Sequence, residues 1–357
     1  MKLFGKLLAY PLIAVNVAVS FLMVFSSYGS LAAPIGKWPF ASLSGLAFPV
    51  LFAINLLFLF LWLFSWRKAA LVPFITILIC IFAVSDWWPI HPGAKNKVSD
   101  PYLTVMTYNP EGFGVDDNNE WTLQNPVLSY MLGFGADIIL IQENNESVFK
   151  QAKSDTKILS GYPYSFSNSS GLACISKYEI ISHKTIPFPD SGNQCLYLRI
   201  LVGTDTLAVY NCHLQSNGLN SNEISEYHQF IEHPTDSTHY DASKTVLKKL
   251  LSSTSQRAFQ ARMISDLAKV ESARFMIVCG DFNDTPLSYS HRVFERFMTD
   301  AYAKTGNGPG ITYHEHRLYY RIDHIFCSKN ITPLHTWIDR TQKDSDHYPV
   351  ISKIRLQ

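Results

Sequence analysis

Acidic residues are almost missing from the first part of this 357-residue chain: before residue 99 there is only Asp86, against Lys2, Lys6, Lys37, Arg67, Lys68, Lys95 and Lys97. Long stretches there carry no charge of either sign, which excludes a water-soluble domain, because so few residues could not hide that much apolar surface. Glycine-rich phosphate cradles are missing too. Neither GxGxxG nor GxxxxGK followed by Ser or Thr occurs, which argues against a doubly wound nucleotide fold. Cysteine is sparse and no CxxC metal spacing appears. Cys80 lies in an apolar run, and Cys174, Cys195, Cys212, Cys279 and Cys327 make an odd set, read as buried small hydrophobes rather than a disulfide framework. No internal repeat is present.

What fills the first 98 residues is hydrophobic. Leu7 to Tyr28, Ala41 to Phe64 and Ala69 to Trp88 each reach the roughly 20 residues a bilayer requires, so the sequence predicts three transmembrane helices. Pro11, Pro49 and Pro73 lie inside or near the ends of these runs, where neighbouring helices can satisfy the freed carbonyls. Trp38, Trp62, Trp66, Trp87 and Trp88 sit near the ends as interfacial anchors. A cleavable signal peptide is the alternative for the first run, since Lys2 and Lys6 precede it and Ala32 and Ala33 follow. Lys2, Lys6, Arg67 and Lys68 place one side in the cytoplasm, which puts the chain after the third helix on the outer side of an inner or plasma membrane; Lys37, Lys95 and Lys97 oppose that bias.

A breaker-rich connector, His91 to Lys97, leads into a second domain spanning 99–357. Short apolar runs ending in polar residues recur along it: Leu103 to Tyr108, Ile138 to Gln142, Leu172 to Ser176, Cys195 to Val202, Leu207 to Cys212, Phe275 to Cys279 and Arg321 to Phe326. Helices are expected over Gln124 to Leu132, Ser255 to Val270 and after Pro286, with Ala258, Ala261, Met263, Ile264, Leu267 and Ala268 on a buried face. Strands outnumber helices and short turns join many of them, which favours a mixed-sheet sandwich covered by helices. Ser216 to Thr254 lacks periodicity and reads as a loop or helical insert; its His228, His233 and His239 match no metal spacing and read as exposed.

Six short pieces carry polar chemistry at or just beyond the ends of apolar runs: Thr107-Tyr108-Asn109, Ile141-Gln142-Glu143, Asn211-Cys212-His213-Leu214, Gly280-Asp281-Phe282-Asn283, Ile322-Asp323-His324 and Ser345-Asp346-His347. That repeated placement predicts one shared rim. Carboxylates, amides and imidazoles so collected suit a hard divalent cation, a general base, and donors to a phosphorane. Singly, the pieces have plainer readings. Asn109 before Pro110 is a turn residue, Asp281 with Asn283, Asp284 and Pro286 forms an Asx turn capping the next helix, and His213 is a core histidine. Arg257 and Gln260 face a neighbouring loop, a phosphate or solvent, and Thr312, Tyr313 and His314 line the cleft.

As an ordered set, these pieces resemble the endonuclease/exonuclease/phosphatase superfamily over roughly residues 102 to 355. The resemblance implies a four-layer α/β sandwich, two packed mixed β-sheets flanked by helices, and metal-dependent phosphoester hydrolysis at one edge. It implies Glu143 as the principal Mg²⁺ ligand, Mn²⁺ being the alternative ion, with Asn109 and Asp346 in support. His347, oriented by Asp323, would activate water or stabilise the phosphorane. Asp281 and Asn283 would position nucleophile and phosphate, and His213 would be the second imidazole.

From residue 99 onward there are 23 basic and 28 acidic residues, a balance of −5, so no long duplex-binding footprint is evident. The expected substrate is a phosphate ester, either nucleic acid or a phospholipid head group, and the bilayer is the expected partner, with no protein partner evident. Phosphodiester hydrolysis is expected ahead of inositol-phosphate-type monoester hydrolysis because His213 is present; a catalytically silent tethered binding module is the other alternative.

Overall fold

The computed structural model describes residues 3–32, 39–94, 98, 101–114, 125–155, 158–219, 222–223, 225, 240–315 and 319–357. Its N-terminal part is helical: α1 (Leu3–Ala32), α2 (Pro39–Leu43), α3 (Phe48–Ser65), α4 (Leu71–Ile79) and α5 (Ile81–Trp87). The third predicted span is therefore not one helix. The ladder breaks at Cys80 (φ −90°, ψ 12°), beside Ile79, whose carbonyl accepts the Tyr28 hydroxyl from α1. Among the described residues two windows are long and apolar enough to cross a membrane, Ala9–Leu31 and Ser44–Ser65. Polar side chains bond between those two helices: Ser20 Oγ donates to Asn55 Oδ1 at 2.9 Å and Trp62 Nε1 to Asn16 Oδ1 at 3.1 Å. In an apolar surrounding such bonds act as interhelical glue.

The strands are β1 (Leu103–Tyr108), β2 (Ile138–Ile141), β3 (Tyr164–Ser167), β4 (Ala173–Ser176), β5 (Glu179–Pro187), β6 (Gln194–Val202), β7 (Asp205–His213), β8 (Phe275–Asp281), β9 (Thr299–Asp300), β10 (Asp323–Cys327), β11 (Ile331–Ile338) and β12 (Val350–Leu356). They form two six-stranded sheets, β11-β12-β1-β2-β4-β3 and β5-β6-β7-β8-β10-β9. Each is mixed, with one parallel pair: β1 with β2, and β7 with β8.

Alternation of side chains along the strands builds the layers. Val105, Ile138, Leu140, Leu207, Val209, Phe275 and Ile277 point between the sheets into a shared core. Their neighbours Met106, Ile139 and Ile141 face outward against α6 (Pro126–Phe134) and α7 (Glu146–Ser154). On the opposite face Ala208, Met276 and Val278 pack against α8 (Tyr240–Lys269) and α9 (Tyr289–Glu295). The result is an α/β sandwich with helices on both sides, as expected. Asn125 and Asn145 cap α6 and α7, each accepting backbone N–H groups through its side chain. All six cysteines are free and buried.

Helix α8 begins at Tyr240, so the end of the supposed insert is helical; His228, His233 and His239 lie outside the described residues, as do Gln124 and Lys95 to Lys97. A short helix, α10 (Ala301–Thr305), follows β9. The helical bundle rests directly on the sandwich. Ser30 Oγ donates to Leu287 O at 2.7 Å, Arg292 Nη1 meets Asp86 Oδ2 at 2.7 Å, and Gly308 N donates to Pro89 O at 2.9 Å.

Glycine is obligatory where β8 passes β7. At Gly280 (φ 123°) an added Cβ would stand 2.0 Å from the Cys212 carbonyl oxygen, whereas at Gly308 (φ 79°) nothing lies within 4 Å. Gly280→Ala is expected to cost about 3 kcal/mol or more through overlap plus strain, and Gly308→Ala only about 1 kcal/mol through strain. Denaturant midpoints of the two variants check this, and equal losses would refute the steric argument.

Candidate active site

The topology brings the six sequence pieces to one rim. Parallel pairing sets the C-terminal ends of β1 and β2 side by side, with Tyr108 opposite Ile141, so Asn109 and Glu143 leave the sheet together. It does the same in the other sheet, where His213 pairs with Asp281. Antiparallel β10 then starts where β8 ends, with Asp323 opposite Asp281. The two sheets are tied at this edge by buried amides: Gln142 Nε2 donates to Asn211 Oδ1 at 2.5 Å, and Asn211 Nδ2 to Ile141 O at 3.0 Å and Ala173 O at 3.2 Å. Gln142 and Asn211 stood in the sequence motifs without a role; their sequence signal was only an amide inside an apolar run.

Backbone strain concentrates here. Glu111, Phe113, Glu143 and Asn283 have positive φ, and among the described non-glycine residues only Asp190 shares that conformation. Each costs about 1–3 kcal/mol unless its surroundings hold it. Glu143 is held on both sides: its carbonyl accepts Gly112 N at 2.9 Å, and Asn144 N donates to Gly171 O at 2.7 Å. The turn lifts its carboxylate out of the sheet edge to a partly exposed position.

Asp281 is the buried centre. Its Oδ1 accepts Asn283 N at 2.8 Å, the Asx turn expected from sequence, although the following helix is capped by Ser288 instead. Its Oδ2 accepts Asn109 Nδ2 at 3.2 Å and lies 3.7 Å from His347 Nε2 and 3.8 Å from His213 Nε2. Burial raises its pKa above the ordinary carboxylate value, partly offset by His347. Asn109 also donates to Glu143 Oε1 at 3.0 Å, while its Oδ1 accepts Glu111 N at 3.0 Å. Its amide thus presents donors to the carboxylates; ligation through Oδ1 would require the amide to turn. Asn283 Nδ2 donates to Leu214 O at 3.1 Å, behind His213, rather than reaching into the cleft.

His213 Nε2 is buried without a hydrogen-bond partner, although Glu143 Oε1 lies 3.6 Å away. Glu143, His213 and Asp281 each offer a ligand atom, all within 4.8 Å of one another, and Asp281, Asp323 and His347 form an adjoining set. The Glu143 and Asp281 oxygens beside the unpartnered His213 nitrogen are a donor set that a hard divalent cation would suit. Asp346 flanks the site, where burial first, and then Glu111, Glu143 and Asp281 against the opposing His347, push its pKa up to about 7.

His347 is clamped. Nδ1 bonds Asp323 Oδ2 at 2.8 Å, its N–H donates to Ser345 Oγ at 3.1 Å, and Tyr313 stands edge-on at 5.2 Å. Thr312 Oγ1 accepts Asp323 N at 3.2 Å, and His314 N donates to Asp346 O at 3.0 Å. Arg257 and Gln260 are buried, not solvated: Arg257 Nη1 donates to Gln215 O at 3.0 Å, and Gln260 Oε1 accepts Gln215 N at 2.8 Å, fixing the loop after His213.

Burial opposes the His347 charge, but Asp323, Asp281 and Asp346 outweigh it and raise the pKa to about 10. Because the folded value lies above the ordinary 6.5, the charge contributes stability that is complete below 6.5 and is lost as pH rises through about 10. In the metal-free protein the imidazole is expected to stay protonated at pH 8, and Asp323→Asn to lower its titration by about one unit or more. NMR titration of the ring resonances checks both; a wild-type midpoint near 6.5 would contradict them.

Residues 106–347 match the model of the Endonuclease/Exonuclease/phosphatase family, and residues 6–87 match one described as a domain of unknown function. No curated protein matches. The fold is similar to that of D. rerio TDP2 humanized by 14 mutations, at TM-score 0.52 and 18% identity, covering 71% of this chain and 99% of that one. D. rerio TDP2 complexed with single strand DNA product gives 0.52 and 15%, covering 72% and 100%. The human Nocturnin catalytic domain with bound sulfate gives 0.51 and 14%, covering 75% and 100%. With the family model spanning more than half the chain, this protein belongs to the endonuclease/exonuclease/phosphatase family and is a metal-dependent phosphoester hydrolase.

Proposed function

We propose that the protein is a membrane-anchored, Mg²⁺-dependent phosphodiesterase, with residues 1–98 as anchor and 99–357 as catalytic domain. The observation that carries the chemistry is the meeting of Glu143, His213 and Asp281 within ligand reach of one another beside the His347–Asp323 pair. Glu143, supported by Asp346, would hold the cation, with Mn²⁺ the alternative. Bound there, it would neutralise charge on the phosphoryl oxygens.

The protein's own groups supply the rest. Asp281, whose raised pKa suits proton exchange, accepts a proton from water as the water oxygen bonds to phosphorus. His347, held protonated by Asp323, donates to a phosphoryl oxygen and stabilises the developing charge, so it acts as a donor rather than a base. His213 protonates the departing alkoxide as the P–O bond breaks, leaving a phosphomonoester and an alcohol. Asn109 bridges the two carboxylates through its Nδ2, and Asn283 braces the chain behind His213.

The anchor reading is supported by exposure: only 28% of the Ala9–Leu31 span and 17% of Ser44–Ser65 is buried, unlike the core helix of a soluble protein. A cleaved signal peptide is disfavoured because α1 bonds α3 through Ser20 and Asn16 and reaches Leu287 through Ser30. Lys2, Lys6, Arg67 and Lys68 favour the cytoplasm for the opposite end of the bundle, which puts the catalytic domain outside.

Full-length protein in detergent is expected to hydrolyse bis-p-nitrophenyl phosphate with Mg²⁺ and to stop on EDTA. Glu143→Gln, Asp281→Asn and His213→Gln should each lower kcat by about 10²–10⁴-fold, with p-nitrophenyl phosphate a poorer substrate throughout. EDTA-resistant turnover, or full activity in Asp281→Asn, would reject this mechanism.

A further inference from the structure

A series of aromatic contacts runs from the site to the end of the helical bundle. Trp87, the last residue of α5, stands edge-on to Tyr320 at 6.3 Å. Tyr320 pairs through its backbone with Tyr313, and Tyr313 pairs in turn with His347, their rings 5.2 Å apart. Tyr320 and Tyr313 therefore link the end of the helical bundle to the imidazole of the site.

That juxtaposition is rigid. Arg321, next to Tyr320, donates to the Asp86 carbonyl, and the Asp86 carboxylate bonds Arg292 at 2.7 Å. Leu287 closes the apolar cluster that contains Met23, Phe48, Cys80, Ala83 and Trp87. An added Cβ at Gly45 would lie 2.9 Å from Leu287 O, so helix and sandwich meet at backbone distance. On the far side His91 N donates to Asn307 Oδ1 at 2.7 Å. The domain is thus bolted to the bundle at several points and does not hang from a flexible tether.

The surface flanking this contact is apolar and aromatic. Trp88 (51% exposed) and Ile90 (72% exposed) directly follow Trp87, and Tyr319 (57% exposed) precedes Tyr320. Such side chains at the end of a membrane segment belong at the headgroup level of a bilayer. The adjoining wall is acidic: Asp346, Glu315 and Glu111 all act electrostatically on Tyr313. With a balance of −5 from residue 99 onward, this is a poor track for a long polyanion.

Resting on the phosphodiesterase reading above, we infer that the cleft takes its phosphodiester from the bilayer in which the helices sit: the substrate is a membrane lipid, admitted along the Trp87–Tyr320–Tyr313 wall. Trp88, Ile90 and Tyr319 seat that wall in the interface. The lipid then meets the site at the high effective concentration of a shared membrane.

The test uses full-length protein reconstituted into phosphatidylcholine vesicles. Three probes are compared: bis-p-nitrophenyl phosphate in solution, a single-stranded oligonucleotide, and a phosphodiester lipid held in the same vesicles at stepped mole fractions. Headgroup-labelled phosphatidylethanolamine and sphingomyelin serve as separate lipid arms. Lipid hydrolysis should follow mole fraction at constant bulk concentration in at least one arm and exceed oligonucleotide cleavage. The combined Trp88→Ser, Ile90→Ser and Tyr319→Ser variant should lose about fivefold or more on lipid while hydrolysing bis-p-nitrophenyl phosphate unchanged. Faster cleavage of the oligonucleotide than of either lipid, or equal lipid rates in the variant and the parent, would overturn the inference and leave the phosphodiesterase reading standing. Loss of all three activities, the soluble diester included, would overturn both.

Discussion

A carboxylate buried inside a protein must be compensated, and the arrangement around Asp281 is a set of compensations. Two imidazoles face one of its oxygens at 3.7 and 3.8 Å, an amide donates to the same oxygen, and a backbone N–H caps the other. Asp323 directly opposes it across the sheet, where two like charges would repel. His347 resolves that conflict by lying against both carboxylates and taking up a proton. The same compensation sets a protonated imidazole beside a buried carboxylate whose pKa is raised.

Strand order makes that convergence possible. A parallel pair delivers two C-terminal ends to one edge, and each sheet contributes one such pair, facing the other across a common core. The four ends supply Asn109, Glu143, His213 and Asp281. Antiparallel β10 and the turn before β12 add Asp323 and His347. The Gln142–Asn211 bond holds the sheets in register at this edge. Positive-φ residues are tolerated at 111, 113, 143 and 283 because that scaffold constrains the chain around them.

Much of this was legible in the sequence for a simple reason: strands buried on both faces must be apolar, so polar residues that end them are conspicuous. β1 and the central strands were read nearly to the residue. Strands β3, β5, β9, β11 and β12 were not: β9 is two residues long, β3 and β5 are largely unburied, and β11 mixes His335 and Thr336 with apolar neighbours. The third hydrophobic run misled in the opposite direction. Its composition permits a single span, but a hydroxyl from a different helix captures the Ile79 carbonyl at the break, a tertiary event that no local pattern encodes. For Arg257 the sequence left a neighbouring loop, a phosphate and solvent open, and the structure buries it against the loop after His213. Asn109, read as a supporting ligand, turns its Nδ2 toward the carboxylates while its Oδ1 accepts Glu111 N, an orientation visible only in three dimensions.

The rim around Glu143 and Asp281 is the proposed position of the divalent cation. A second cluster, His291, Asp300 and His324, also gathers ligand atoms within 4.8 Å, but Arg321 stands 3.9 Å from Asp300, and His291 already bonds that carboxylate at 2.9 Å. Anomalous diffraction from crystals of the full-length protein soaked in Mn²⁺ separates the two directly. A peak bonded to the Glu143 carboxylate, lost in Glu143→Gln, is expected. A peak at His291 and Asp300 with none at Glu143 would contradict it.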